Sequence, residues 1–162
     1  MNAATASDGL ADGVLLDEVR AAVASVADPE YPGVSIVDLG LVESVDVVDG
    51  AAIVGLIPTF SGCPALDMIA ADVRTAVGAL SRARACEVQW LPGPVWSAER
   101  ITANGRNILA KDYTVVLRRK DGGLQCPVCG GHGVTRQSLA GPTRCREIAW
   151  CSACRNPIEV MR

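Results

Sequence analysis

Aromatic residues and histidine are scarce in this chain. Phe, Trp and Tyr together make up 4% of its 162 residues, and His132 is its one histidine. The bases of single-stranded nucleic acid would find few aromatic side chains on which to stack. A catalytic triad that needs histidine would have to use His132, which lies among the cysteines of the C-terminal part. Both features disfavour a triad hydrolase and an aromatic-lined nucleic-acid cleft.

Other functional signals are missing as well. The chain has no GxGxxG or Walker pattern and no carboxylate pair spaced for general acid-base catalysis. Residues 1–8 lack the basic region and long apolar run of a secretory signal, and no segment approaches the length of a membrane span. With 49% apolar residues, we expect a cytoplasmic globular protein with one ordinary domain and a small appendage. In a reducing cytoplasm, metal binding or redox chemistry explains seven cysteines better than a disulfide framework does.

Four of those cysteines form two CxxC pairs near the C-terminus, Cys126 with Cys129 and Cys151 with Cys154. Each pair directs two sulfurs to one point, so the two pairs predict a tetrahedral four-thiolate site, most simply for structural zinc. A disulfide pair and a thioredoxin-like redox motif are the alternatives. Cys145 is a fifth thiol, and the sequence leaves it open as an apolar filler, a spare ligand or a sign that the site takes iron.

Charge divides the chain into two unlike parts. Residues 1–117 carry 7 Lys/Arg against 15 Asp/Glu, net -8, whereas residues 118–162 carry 8 against 3, net +5. Four thiolates on a divalent ion would add -2 to the C-terminal part and leave about +3. That part is therefore basic, but well short of a polybasic nucleic-acid arm.

Apolar periodicity predicts an α+β fold. We expect helices over 14–27, 65–80 and 98–110, a hairpin of strands 41–48 and 51–57 around Asp49 and Gly50, and a strand over 86–90. The second hairpin strand is apolar on both faces, so it should be central. Short strands over 134–139, 146–150 and 158–161 should build the metal-binding part.

Cys63 lies between the central strand and the second predicted helix, and Pro64 occupies the position of the first helical residue. We therefore expect Cys63 to be the N-cap, with a thiol pKa lowered by the helix dipole, and Gly62 to leave space for a metal. The alternative is a turn residue that happens to be cysteine. Asp28, Glu30 and Asp38 lie in loops from which they could face Cys63, although simple turn chemistry would also explain them.

Four segments together resemble the PaaD family, the D proteins of phenylacetyl-CoA epoxidase (ring 1,2-epoxidase) systems. They are residues 28–32 (Asp-Pro-Glu-Tyr-Pro), 35–40 (Ser-Ile-Val-Asp-Leu-Gly), 59–65 (Thr-Phe-Ser-Gly-Cys-Pro-Ala) and the five-cysteine C-terminal part. The first part is similar to the iron-sulfur assembly domain of the Suf-associated T protein and the eukaryotic cytosolic iron-sulfur targeting factors. The resemblance runs from about Leu16 to the C-terminus. Tyr31 stands where the family usually has an aliphatic residue.

The resemblance implies a small α/β sandwich followed by a zinc ribbon. We expect a disordered segment over 1–12, an assembly-type domain over 13–112, a basic linker over 113–123 and the ribbon over 124–162. Cys63 would transiently hold iron or an iron-sulfur cluster. The residues expected to shape its pocket are Asp28, Glu30, Asp38, Thr59, Ser61 and Gly62.

The resemblance also implies a non-catalytic accessory protein that matures the [2Fe-2S] cluster of the epoxidase reductase, with the ribbon docking the client. Its partners would be the reductase and oxygenase subunits and the iron-sulfur assembly machinery, without membrane or nucleic acid, and a homodimer is left open. Two other functions compete with this one. A ribbon that binds nucleic acid or docks a protein would need no cluster. A redox enzyme with Cys63 as nucleophile would lack a nearby resolving CxxC pair and a histidine base.

Overall fold

The structure, a computed structural model, describes residues 4–113, 115–119, 121–143 and 145–161, with side chains from residue 12 onward. These residues form an N-terminal module (4–113) and a C-terminal ribbon (115–161). None of the described helices combines the length and the apolar character needed to cross a bilayer.

The N-terminal module is a layer of helices on a mixed sheet. Its elements are α1 (Ala4–Ala24), β1 (Ala27–Asp28), β2 (Tyr31–Ser35), β3 (Val42–Val48), β4 (Ala51–Leu56), α2 (Leu66–Gly78), β5 (Ala85–Trp90) and α3 (Ala103–Asp112). The main sheet has the order β3-β4-β5, with β3 antiparallel and β5 parallel to β4. Asp49 (φ 50°) and Gly50 (φ 75°) form the tight turn between β3 and β4. The predicted hairpin and its central strand are thus confirmed.

The core of this module lies between the sheet and the helices α1 and α2. Residues at helical spacing on the two helices are fully buried, and they share one core with two buried residues of β4: Val19 and Val23 on α1, Ile69, Val73 and Val77 on α2, and Val54 and Leu56 on β4. This is the apolar stripe on which the helix predictions rested, and its burial is the main driving force for the sandwich. The turn that leaves β4 is consequently fixed at one end by the central strand and at the other by α2.

The C-terminal ribbon is a second sheet, with strand order β6-β9-β8-β7. Its strands are β6 (Val115–Val116), β7 (Val134–Ser138), β8 (Arg146–Cys151) and β9 (Pro157–Met161). β6 runs parallel to β9, whereas β7, β8 and β9 are antiparallel. Val115 packs in the core of the N-terminal module and Val116 in that of the ribbon, and Met161 also reaches the first core. The two modules therefore share a packed boundary.

The structure differs from the sequence predictions at three places. The first helix begins at Ala4 rather than at residue 14, and residues 1–3, part of the segment expected to be disordered, lie outside the described part. The helix predicted over 98–110 is a short 3-10 turn, Ala98–Arg100, followed by α3, because Thr102 accepts the Gly105 N–H and starts a new helix. The expected linker over 113–123 contains β6.

Candidate functional site

The turn that carries Cys63 connects the central strand β4 to α2. The Cys63 N–H donates to the Phe60 carbonyl (3.1 Å), and the Cys63 carbonyl accepts the Leu66 N–H (3.4 Å). The N-cap of α2 is Ala65, whose side chain offers no capping hydrogen bond. The N-cap therefore lies two residues after the predicted position, although the Cys63 side chain still accepts a hydrogen bond from the Ala65 N–H.

Burial decides the protonation of Cys63. Desolvation of the half-buried side chain raises the thiol pKa above its ordinary value, and the nearby carboxyl groups of Glu30 and Asp28 raise it further. A hydrogen bond from the Ala65 N–H acts in the opposite direction but does not overcome burial. The expected low-pKa thiolate is thus corrected: without a bound cation, Cys63 is a protonated thiol at neutral pH.

Cys63 opens into a small cleft between the two modules. We call it the Cys63 cleft; among its lining residues are Asp28, Glu30, Tyr31, Thr59, Cys63 and Cys145. Asp28 is 8% exposed, and its Oδ1 accepts the Glu30 N–H at 2.8 Å. Desolvation raises the pKa of this carboxyl group. The structure therefore places Asp28, Glu30 and Thr59 in one cleft with Cys63.

Asp38 lies elsewhere. Its carboxylate accepts hydrogen bonds from the hydroxyl of Thr102, from Asn104 Nδ2 (2.9 Å) and from Ser35 Oγ (3.2 Å). These bonds, first of all the one from Thr102, lower its pKa. Asp38 thus attaches the start of α3 to the loop after β2 and does not belong to the Cys63 cleft.

Ser61 and Gly62 are exposed at the tip of the Cys63 turn. A Cβ atom on Gly62 would stand 2.9 Å from Cε1 of the Phe60 ring, closer than such atoms approach. The glycine therefore makes room for Phe60, a role different from the predicted approach of a metal.

The four cysteines of the CxxC pairs meet at one point of the ribbon. Their sulfur atoms all lie within 4.8 Å of one another, with 3.6 Å between those of Cys126 and Cys154 and 3.7 Å between those of Cys129 and Cys151. Four ligands at a zinc–sulfur distance of about 2.3 Å would stand about 3.8 Å apart in a tetrahedron. The donor set and the spacing therefore fit a four-thiolate metal centre, held by Cys126, Cys129, Cys151 and Cys154.

The two knuckles of this centre share one backbone geometry. In each, the carbonyl of the first cysteine accepts the N–H of the residue four positions later, Gly130 in one knuckle and Arg155 in the other. Both residues have positive φ, 72° and 58°. The left-handed residue closes the turn and points both sulfurs inward. His132 is exposed beside the first knuckle and lies outside the cluster, as expected.

Cys145 does not join the ribbon cluster. It is 5% exposed, its Sγ donates to Glu30 Oε2 (3.1 Å), and it lies 3.1 Å from Thr143 Oγ1. Burial, with added repulsion from the Glu30 carboxylate, raises its thiol pKa to about 11. The interpretation of Cys145 as a spare ribbon ligand does not agree with this position, because the residue immediately precedes β8 and its sulfur bonds to Glu30 of the N-terminal module. It lines the Cys63 cleft instead.

Arg146, the next residue, joins the modules. Its guanidinium donates to the Tyr31 hydroxyl (3.0 Å), to the Glu30 carbonyl (3.2 Å) and to Glu159 Oε2 (2.6 Å). Its central carbon lies 4.6 Å from the centroid of the Tyr31 ring, which is a cation–π contact. One side chain of the ribbon therefore holds both walls of the Cys63 cleft together.

Comparison with known proteins separates the same two parts. Residues 16–90 match the family described as iron-sulfur cluster assembly protein, and residues 110–162 match the PaaD zinc beta ribbon domain. The Bacillus subtilis (strain 168) "Fe-S protein maturation auxiliary factor YitW" is 34% identical over 89 residues, which cover 54% of this chain and 86% of that protein. The chain belongs to the iron-sulfur cluster assembly protein family. It also carries the PaaD-type zinc ribbon, as its sequence predicted.

The proteins similar to this chain match either nearly all of it or only its N-terminal module. The D subunit of the "Putative 1,2-phenylacetyl-CoA epoxidase" of Escherichia coli (strain K12) is 27% identical over 152 residues, 90% of this chain and 91% of that one. The crystal structure of a domain of unknown function (DUF59) from Bacillus anthracis superimposes with a TM-score of 0.58 and 29% identity, covering 62% of this chain and 96% of the other. A conserved hypothetical protein from Thermotoga maritima gives 0.50 and 29%, covering 56% and 89%. The family fold thus accounts for the N-terminal module, and the ribbon is an addition to it.

Proposed function

We propose that this protein is a non-catalytic, cytoplasmic accessory subunit of a phenylacetyl-CoA epoxidase system that holds iron or an iron-sulfur cluster at Cys63 and supports the [2Fe-2S] cluster of the reductase subunit. The similarity to the Escherichia coli epoxidase protein over most of both chains supports the pathway. The match to maturation factors supports the iron-sulfur role. The partners are therefore the reductase, the oxygenase subunits and the assembly machinery.

One observation carries the role of Cys63. Its thiol lies half-buried in a cleft that also holds the carboxyls of Asp28 and Glu30 and a second thiol. Sulfur and carboxylate donors suit iron, whereas a redox or acyl-transfer nucleophile needs a thiolate that is available before its substrate arrives. The raised pKa of Cys63 disfavours such a nucleophile. Binding a cation instead removes the thiol proton when the cargo arrives.

The ribbon centre serves a structural purpose in this proposal. Four thiolates leave no open position for chemistry, and zinc is the metal that such closed sites favour. Cys126 and Cys151 are buried in the small ribbon core. Because this core buries too little apolar surface to stabilise the ribbon alone, the bound metal supplies part of the folding free energy. The ribbon then supplies the surface on which the client docks.

The charge of the ribbon argues against nucleic-acid binding as the alternative function. Arg118 and Arg136 both pair with the buried Glu147, Arg146 pairs with Glu159, and Arg119 lies 4.0 Å from Asp121. Of the five basic residues of this part that the structure describes, four are therefore engaged by its own carboxylates. Phosphate binding relies on basic side chains that can release counterions, and these four are already paired within the ribbon.

The test is the [2Fe-2S] content of the reductase subunit produced with the wild-type protein, with Cys63→Ser, with Cys86→Ser or without this protein. We expect full loading with wild type and Cys86→Ser, and loss in the other two. Cys86 is the matched control, because it is a half-buried cysteine on β5 outside both cysteine sites. Equal loading in all four preparations would refute the maturation role. Loss only in the absence of the protein would keep the role and exclude Cys63.

A further inference from the structure

The Cys63 cleft contains a second thiol, that of Cys145, which is not a ligand of the ribbon centre and does not come from the N-terminal module. Cys145 comes from the ribbon, yet its sulfur is directed away from the four-thiolate cluster and toward Glu30 of the N-terminal module. The same cleft holds Cys63. The ribbon therefore does more than cover the N-terminal module, because it places a second sulfur in the cleft that holds Cys63.

The position of Cys145 is fixed from both sides. Arg146 follows it directly and bonds to Tyr31, to the Glu30 carbonyl and to Glu159. Thr143 precedes it and contacts its sulfur. If Cys145 only filled space in the core, its thiol would not need the Glu30 carboxylate as a hydrogen-bond acceptor. A thiol that binds a metal gains a defined orientation from such a bond.

The donors in the cleft point to a particular class of cargo. Two thiols and a carboxylate are the ligands that a divalent iron ion or a small iron-sulfur cluster accepts, and they are too soft for magnesium or calcium. Three protein donors leave at least one position of a tetrahedral ion open. A site with an open position suits an ion that must pass to another protein, in contrast to the closed ribbon centre.

We propose that Cys63 and Cys145, assisted by Glu30, bind one cargo iron ion or cluster together, so that the cargo site is composed of both modules. Binding of a divalent ion forms one bond to each sulfur, and the two thiol protons leave to solvent. The Glu30 carboxylate gives up its hydrogen bond from Cys145 and becomes a third ligand. No electrons are transferred in this step. The inference rests on the proposed function, since it names a second ligand for the same cargo.

The experiment uses the full chain with the ribbon first loaded with one equivalent of zinc, titrated anaerobically with cobalt(II) as the probe. Zinc generally binds such a site more tightly than cobalt does, so the ribbon should keep its zinc. Wild type and Cys86→Ser should bind one further equivalent with a sulfur-to-cobalt charge-transfer band. Cys63→Ser and Cys145→Ser should each lose at least about tenfold in cobalt affinity, while their zinc content stays at one.

A second measurement does not depend on the variants folding. In a time course long enough for the metal-free protein to be alkylated at the buried Cys145, cobalt(II) or iron(II) should slow the alkylation of both Cys63 and Cys145 of the wild-type protein, as read by mass spectrometry of the peptides, and should leave the rate at Cys86 unchanged. Protection of Cys63 alone, or full cobalt affinity in Cys145→Ser, would overturn the composite site and leave the role of Cys63 standing. Loss of cobalt binding in both variants with undiminished loading of the reductase would retain the composite site and refute the proposed function.

Discussion

The guanidinium of Arg146 lies over the ring of Tyr31, 4.6 Å from its centroid, and its Nε donates to the hydroxyl of the same residue at 3.0 Å. Tyr31 in turn packs edge-on against Tyr113, with ring centroids 5.3 Å apart. The contact crosses the boundary between the ribbon and the N-terminal module. It gives Tyr31 a structural role in joining the two modules.

Replacement of this arginine should weaken the boundary. Arg146→Ala removes a side chain that is 13% exposed and leaves Glu159 and the Glu30 carbonyl without their donor, so we expect a loss of about 2–4 kcal/mol in the free energy of unfolding. Denaturant unfolding of the zinc-loaded protein measures it. Arg20→Ala is the control, because that side chain is 57% exposed and pairs with Asp17 only at 3.7 Å. A loss below about 0.5 kcal/mol for Arg146→Ala would contradict the coupling.

Removal of a ribbon ligand should release the metal. We expect Cys129→Ser and Cys151→Ser to lose the zinc and to unfold the ribbon, because two knuckles are needed to complete the tetrahedron. The N-terminal module should remain folded but become less stable by about 1–3 kcal/mol, since Val115 and Met161 leave its core. Metal analysis with near-ultraviolet circular dichroism measures both effects. Full metal occupancy in both variants would show that the assignment of the ligands is wrong.

Asp38 should make stability depend on acid pH. Its hydrogen bonds lower its folded-state pKa below the ordinary 3.8, so its contribution is present above that pH and disappears as the pH falls through the folded pKa. We therefore expect Asp38→Asn to destabilise the protein at pH 7 by about 1–2 kcal/mol, from the loss of charge-assisted bonds to Thr102 and Asn104. The difference from wild type should shrink below about pH 3.8. Asp46→Asn, an exposed change on β3, should have little effect at either pH.

Asp28 should behave in the opposite way. Burial raises its folded-state pKa, so the folded protein binds a proton there more tightly, and stability is lost as the pH rises from 3.8 through the folded pKa. Asp28→Asn keeps an oxygen to accept the Glu30 N–H and removes the buried charge. The variant should consequently be more stable than wild type at pH 7 and equal to it at low pH. A lower stability at pH 7, measured by denaturant unfolding, would mean that the charge is compensated in the folded state.

The fold could be predicted where local chemistry decides it. The Asp49-Gly50 turn, the apolar stripes of α1 and α2 and the two CxxC pairs are signals carried by neighbouring residues, and the structure agrees with each of them. The short hairpin of β1 and β2 was missed, because Asp28 and Pro29 are typical turn residues and the paired segments are brief.

The site could be predicted less completely, because its properties depend on residues far apart in the chain. The pKa of Cys63 follows from desolvation and from carboxyls on another element. Asp38 has partners on α3, 64 and 66 positions away. For Cys145 one signal was available: every second residue is buried from Cys145, just before β8, through Glu147 and Ala149 to Cys151. This alternation predicts that Cys145 is buried, but it does not predict that the N-terminal module buries it.

The strand β6 restricts where insertions and deletions can occur in genes that encode this fold. Its two residues face opposite cores, Val115 the one and Val116 the other. Insertion or deletion of a single codon just before them would turn each side chain toward the wrong core, since successive residues of a strand point to opposite sides. We therefore expect that homologous genes keep a constant codon count between α3 and β6, and that length changes accumulate instead at the exposed Leu139 and Ala140, just after β7.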